Sequence, residues 1–297
     1  MTSHDRTLVE IVTGTTVFFL LLIFQPPAWA IEQNDCIRSY TNGSVNWRTG
    51  VVQATGKASP SENPLDEPPD AILIRAKLDA RHNLIHILME IAFNMTNSDD
   101  FLPEDPVMAG VERRAMDATL THQRYTSDRA MEITITTNMF GGFLQLVLPE
   151  EIGEVVGLKI IPPRTPTQEK TQVKPYTGLI IDARGIDFHP TISPVIVSEQ
   201  GDEIYSSRFI SREYAVQAGV CQYSCVQGPI KQDYPGQAPS WINSRTGPNP
   251  LVIRGLRKGG KTNRHIVISK SDASAVERTA ERHDFMRQCR VVIILDQ

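Results

Sequence analysis

Residues 131–139 read Met131-Glu132-Ile133-Thr134-Ile135-Thr136-Thr137-Asn138-Met139. Met131, Ile133, Ile135, Thr137 and Met139 alternate with Glu132, Thr134, Thr136 and Asn138, the two-residue period of a strand with one buried face. Just upstream, Tyr125-Thr126-Ser127-Asp128 supplies a turn, so 115–139 is expected to form a β-hairpin. Further back, Val45 to Ala58 is rich in β-branched residues and bounded by glycines, which suggests a strand or hairpin. Pro60, Pro64, Pro68 and Pro69 make 59–69 a loop. Between these strands lies the clearest helix. Asp70 is a good N-cap, and Ile74, Leu78, Ile85, Leu88 and Met95 recur at helical spacing, with Ala71, Ile91 and Ala92 beside them. Arg75, Lys77, Arg81, His82, His86 and Glu90 fall mostly on the other side. One face should pack on the sheet while the other meets water. Gly141-Gly142 and the apolar run Phe143 to Leu148 close this first domain, placed at 31–161.

Downstream, Pro162, Pro163, Pro166 and Pro175 stand among Thr, Gln and Lys, so 162–175 reads as an interdomain linker. A second, β-rich domain is expected over 176–297. Gly178 to Gly185 and Ser193 to Val197 read as strands, and Glu199-Gln200-Gly201-Asp202 as a turn into Glu203-Ile204-Tyr205. Residues 228–250 are rich in Pro and Gly and read as irregular. Leu251–Leu256 and His265–Ser269 form a second strand pair, Asp272–His283 a helix capped by Ser271, and Arg290–Asp296 a buried strand. The fold class is therefore α+β: a long helix on an antiparallel sheet, then a β-rich α+β domain.

The first thirty residues read as a signal peptide. Arg6 gives a sparse positive start, Val17 to Phe24 is uninterrupted and apolar, and Ala28-Trp29-Ala30 offers small residues before a cut. That run is far short of the roughly 20 residues of a membrane span. Ile31 stands where a lipoprotein needs Cys, so a lipid anchor is not expected. The expected location is periplasmic or secreted, with no transmembrane segment after the cut. The chain of 297 residues carries a formal charge of −4 and 40% apolar residues, enough for real cores and without the basic field that nucleic acid requires.

Cys36, Cys221, Cys225 and Cys289 all follow the expected cut, and an even number in an exported chain permits disulfides. Three pairings are open. A local Cys221–Cys225 loop would leave Cys36 with Cys289. A zinc site would need a second closely spaced pair, which this sequence lacks.

Trp47-Arg48-Thr49-Gly50-Val51-Val52-Gln53-Ala54-Thr55-Gly56, followed by Ile74-Arg75-Ala76-Lys77-Leu78-Asp79-Ala80-Arg81-His82-Asn83-Leu84, resembles a bacterial envelope family. That family includes outer-membrane and flagellar-sheath lipoproteins and the N-terminal domain of flagellar assembly protein T. Tyr176 to Gly185 with Ser193-Pro194 resembles a segment often joined to that domain in exported proteins. The resemblance implies a small α/β domain used for envelope assembly or scaffolding, without catalysis.

Several motifs invite chemistry. Gly255-Leu256-Arg257-Lys258-Gly259-Gly260-Lys261-Thr262 fits the phosphate-loop pattern. Asn263 to Ser269 favours a strand over the helix such a loop requires, and Asp296 comes too late to complete a parallel nucleotide-binding sheet. A basic hairpin turn is expected there. His82 and His86 share a helix face and could hold a metal, but no third ligand is signposted, so a solvated face is expected. Asp182 and Arg184, two apart on a strand, point the same way. They are candidates for partner binding or for pairing with charges on neighbouring strands. No Gly-x-Ser-x-Gly elbow or His-Glu-x-x-His is present. No catalytic residue, cofactor or metal is therefore expected. The function expected is that of an exported, non-enzymatic envelope protein that docks to other envelope proteins. The resemblance places flagella or another surface structure as the setting. An exported hydrolase and a small-ligand or metal-binding module are the alternatives.

Overall fold

The computed structural model describes residues 35–61, 68, 70–93, 105–148, 175–226, 240–260, 263–280 and 283–296. The expected signal peptide, and the expected linker apart from Pro175, lie outside them. The first sheet is built from β1 (Ile37–Tyr40), β2 (Gly43–Asn46), β3 (Val51–Ala58), β4 (Thr119–Tyr125) and β5 (Met131–Asn138). Its order is β1-β2-β3-β5-β4, and every pairing is antiparallel. On β3, Val52, Ala54, Gly56 and Ala58 are inward or close to it, while Val51, Gln53 and Lys57 face water.

Helix α1 (Ala71–Phe93) lies across that inward face. Ala76, Ala80, Leu84, Ile87, Leu88, Ile91 and Ala92 are buried. Ile74 and Leu78, expected on the packing face, are instead 55% and 57% exposed. The reason is steric. A Cβ on Gly56 would lie 2.2 Å from the Ala80 nitrogen and 2.4 Å from the Ala76 oxygen. Helix and strand touch backbone to backbone, so the contact turn must carry alanine, and the bulkier Ile74 and Leu78 are turned outward.

The polar residues of α1 have structural work at the same seam. Strand β2 runs along β3 only as far as Ala54. Beyond it, Asp79 accepts the Lys57 N–H at 2.9 Å, Asn83 donates to the Thr55 carbonyl at 2.9 Å, and Arg75 donates to the Ser59 carbonyl at 2.7 Å. Side chains of α1 thus satisfy the part of β3 that β2 leaves uncovered. Helix α2 (Asp105–Met116) packs beside α1, and α3 (Gly142–Val147) occupies the apolar run that closes this region.

The second sheet has seven strands in the order β8-β7-β11-β10-β6-β12-β9. They are β6 (Gly178–Asp182), β7 (Val195–Ser198), β8 (Glu203–Tyr205), β9 (Gln222–Cys225), β10 (Pro250–Gly259), β11 (His265–Ile268) and β12 (Val291–Leu295). Between them run α4 (Arg212–Ala218), α5 (Ser240–Thr246) and α6 (Lys270–Ala280). Strands β10, β6, β12 and β9 are mutually parallel. This corrects the expectation that the late Asp296 strand leaves no room for a parallel set: its neighbours β6 and β9 come earlier in the chain. All five residues of β12 are buried, as a strand covered on both faces requires. Val291, Ile293 and Leu295 enter the main core, while Val292 and Ile294 meet Ile180 and Ile242 of α5. Helix α5 falls inside the stretch expected to be irregular. Helix α6 begins earlier than expected: Ser269, rather than Ser271, accepts the Asp272 N–H, at 3.0 Å.

Both sheets contribute to one main hydrophobic core. Asn34–Gln297 forms one compact unit. The α+β class is as expected, with an antiparallel first sheet and a mixed second one. Among the described residues no helix is long and apolar enough to cross a membrane.

Candidate functional site

Three places hold groups of functional interest. The first is the seam where the sheets meet. Cys36, at the entry to β1, is bonded to Cys225, at the end of β9, across 189 residues of sequence. Beside it Trp47 meets Tyr223 edge-on, with ring centroids 5.9 Å apart. The Tyr223 hydroxyl donates to the Thr191 carbonyl at 2.7 Å, and the Tyr205 hydroxyl to the Val220 carbonyl at 2.6 Å. Arg245 donates to the Ala218 and Gly219 carbonyls at 2.9 and 2.7 Å. A disulfide is compatible with an exported protein.

Cys221 and Cys289 are free and buried, which corrects their candidacy for disulfides. The local Cys221–Cys225 loop fails because β9 is extended. Residues four apart along a strand are separated by about 13 Å, far beyond the reach of a disulfide. Burial pushes the Cys221 thiol up to about 12 and the Cys289 thiol up to about 11. Both stay protonated at neutral pH and are poor nucleophiles.

The second place is the carboxyl end of the parallel strands. Asp182 ends β6 and Arg184 follows it. Arg184 donates from Nε to Asp182 Oδ1 at 2.8 Å and from Nη2 to Oδ2 at 2.7 Å, a two-pronged pair. Burial by itself raises the Asp182 carboxyl. The Arg184 side chain and backbone N–H, together with Arg254, outweigh it and hold the group below its ordinary value. The same bond raises Arg184. Asp296, past β12, accepts the Gly185 N–H at 2.7 Å. Asp296 thus ties the end of β12 to the turn after β6, while Asp182 and Arg184 direct their charges at one another within that turn.

The third place is the first sheet's surface. Every residue of β4, Thr119 to Tyr125, is exposed, with Leu120 at 41% and Tyr125 at 67%. Its sequence signal is faint but real: Thr-Leu-Thr-His-Gln-Arg-Tyr is polar on both faces, the mark of a strand outside the core. On the solvent side of α1, His82 and His86 place their Nε2 atoms 3.1 Å apart, with ring centroids 4.5 Å apart and planes at 80°. An open groove between α2 and α3 is walled on its polar side by Arg113, Arg114 and Asp117.

The Gly255–Thr262 stretch is a hairpin, as expected: β10 extends to Gly259, Gly260 turns with φ 77°, and β11 returns antiparallel. Lys261 and Thr262 lie outside the described residues. Among the described residues a strand, not a helix, follows them, so no helix N-terminus stands there to present amides to a phosphate.

The stretch that carries the second sheet and its helices has a bacterial counterpart. Residues 178–297 match the family described as Treponema pallidum Tp0624, second domain. The matched stretch begins at the first residue of β6 and takes in the whole seven-stranded sheet. No curated protein matches the chain.

Proposed function

We propose that this is an exported, non-enzymatic envelope protein that serves as a scaffold, taking up an extended segment of another envelope protein along β4. The observation that carries this reading is the length of the open edge. Among the described residues the four sheet edges are β1, β4, β8 and β9, of 4, 7, 3 and 4 residues. Strand β4 pairs with β5 on one side only, with an irregularity between Leu120 and His122, and the N–H and C=O groups that point away from β5 offer a template for one added strand, a common mode of peptide capture. The other edges are too short to register a partner with comparable precision, and β1 and β9 are also tied at the disulfide. A cross-linked body with one long free edge suits assembly outside the cytoplasm, where thiols oxidise. The resemblance of 47–56 and 74–84 to the flagellar-sheath and assembly family makes a surface structure the proposed setting.

The test is affinity capture from envelope extracts of the native host, using the disulfide-bonded chain from Ile31 onward. A specific partner retained by wild type and lost in Leu120→Lys/Tyr125→Lys supports the proposal. Recovery of the same partner by that variant, or no specific partner at all, refutes it.

A further inference from the structure

We propose that His82 and His86 form a two-histidine clamp for a divalent transition cation on the solvent face of α1. The two residues are four apart on a helix, so their side chains project from the same side, one turn from each other. Both are exposed, and the helix beneath them is locked to β3 through Gly56, Ala76 and Ala80. The clamp's backbone is therefore rigid before any ligand arrives. Of the neighbouring polar residues, Asp79 and Asn83 bind the β3 backbone.

The spacing of the ring nitrogens suits a metal. Zinc–imidazole bonds are about 2.05 Å long, so two nitrogens 3.1 Å apart subtend an angle of about 98° at a shared ion. That value falls between the square-planar 90° and the tetrahedral 109°. Without the ion, one Nε2–H donates to the other's lone pair. When a cation binds, that proton moves through solvent to Nδ1 of the same ring, so both imidazoles stay neutral and both Nε2 lone pairs face the ion. Among the described residues no third His, Cys, Asp or Glu completes a cluster with them. Two protein ligands leave the remaining positions to solvent or to an external donor, which makes the site an exchangeable one. With imidazole alone as donor, the affinity order runs copper(II) above nickel(II) and zinc. The cysteines do not compete: Cys36 and Cys225 are bonded to each other, and Cys221 and Cys289 are buried.

The experiment is isothermal titration of the metal-free, disulfide-bonded chain from Ile31 onward with CuCl2, NiCl2 and ZnCl2. The expected result is one saturable site, weakened roughly tenfold or more in His82→Ala and in His86→Ala, since even an outer-shell partner is worth that much, and unchanged in the exposed control His189→Ala. Thermal unfolding run alongside reports folding directly. The variants should melt with wild type in the absence of metal, and added ZnCl2 should raise the midpoint of wild type alone. Absence of saturable binding, or equal binding by wild type and both alanine variants, overturns the proposal.

Discussion

Replacing Cys36 and Cys225 together by alanine removes the covalent tie between the first strand of one sheet and the edge strand of the other. The bond spans a sequence separation of 189. In the chain-entropy account, closing a loop of that size in the unfolded chain corresponds to about 5 kcal/mol. Measured effects commonly fall short of that ideal, so the expected loss is about 3 to 5 kcal/mol. With a urea slope of about 3 kcal/mol per molar, the unfolding midpoint should fall by about 1 to 1.7 M. The assay is equilibrium urea unfolding of oxidised wild type and the double variant, followed by tyrosine and tryptophan fluorescence. A thiol count provides the internal check. Oxidised wild type should expose two reactive thiols, Cys221 and Cys289, and only after unfolding. A midpoint unchanged in the variant, or four reactive thiols in unfolded non-reduced wild type, would refute the reasoning.

Gly56→Val should destabilise by about 3 kcal/mol or more, because its Cβ meets the Ala80 backbone at 2.2 Å and neither element can yield without losing the other's contacts. Chemical denaturation would measure it. Leu84→Ala should cost about 2 to 5 kcal/mol, whereas Ile74→Ala and Leu78→Ala should each stay within about 0.5 kcal/mol. Equal losses at all three would contradict the face assigned to α1. Asp182 has its folded-state pKa lowered, so its contribution is full above the unfolded carboxyl value of about 3.9 and fades as pH falls through the folded value. Asp182→Asn should therefore be less stable than wild type at pH 7, with the gap narrowing below about pH 4 in acid titrations.

The strand at 131–138 and its hairpin were legible because a single buried face imposes a period of two on the sequence. The strand β12 was legible because burial on both faces leaves only apolar residues. The orientation of α1 was not. Size-weighted apolar spacing favours Ile74 and Leu78, and the constraint that overrides it, a glycine on β3, lies some twenty residues away in sequence. The Cys36–Cys225 pairing was hidden for a similar reason. It depends on β9 being an extended strand beside β12, and Cys221 to Cys225 carries too few residues to declare a period. Asp182 and Arg184 were visible as a like-facing pair, but only the geometry shows their charges turned upon each other. His82 and His86 were legible as sharing one helix face. The separation of their ring nitrogens was not, since side-chain rotation alone decides it.

Strand β12, the last in chain order among the described residues, lies between β6 and β9 and is the piece through which β9 joins its sheet. A chain emerging N-terminus first would present Cys225 before the strand that holds it in place. Oxidation against Cys36 would then be guided only once residues 291–295 had arrived. Formation of the crosslink is thus coupled to the arrival of β12, and chains truncated before Val291 should accumulate reduced or mispaired cysteines on non-reducing gels.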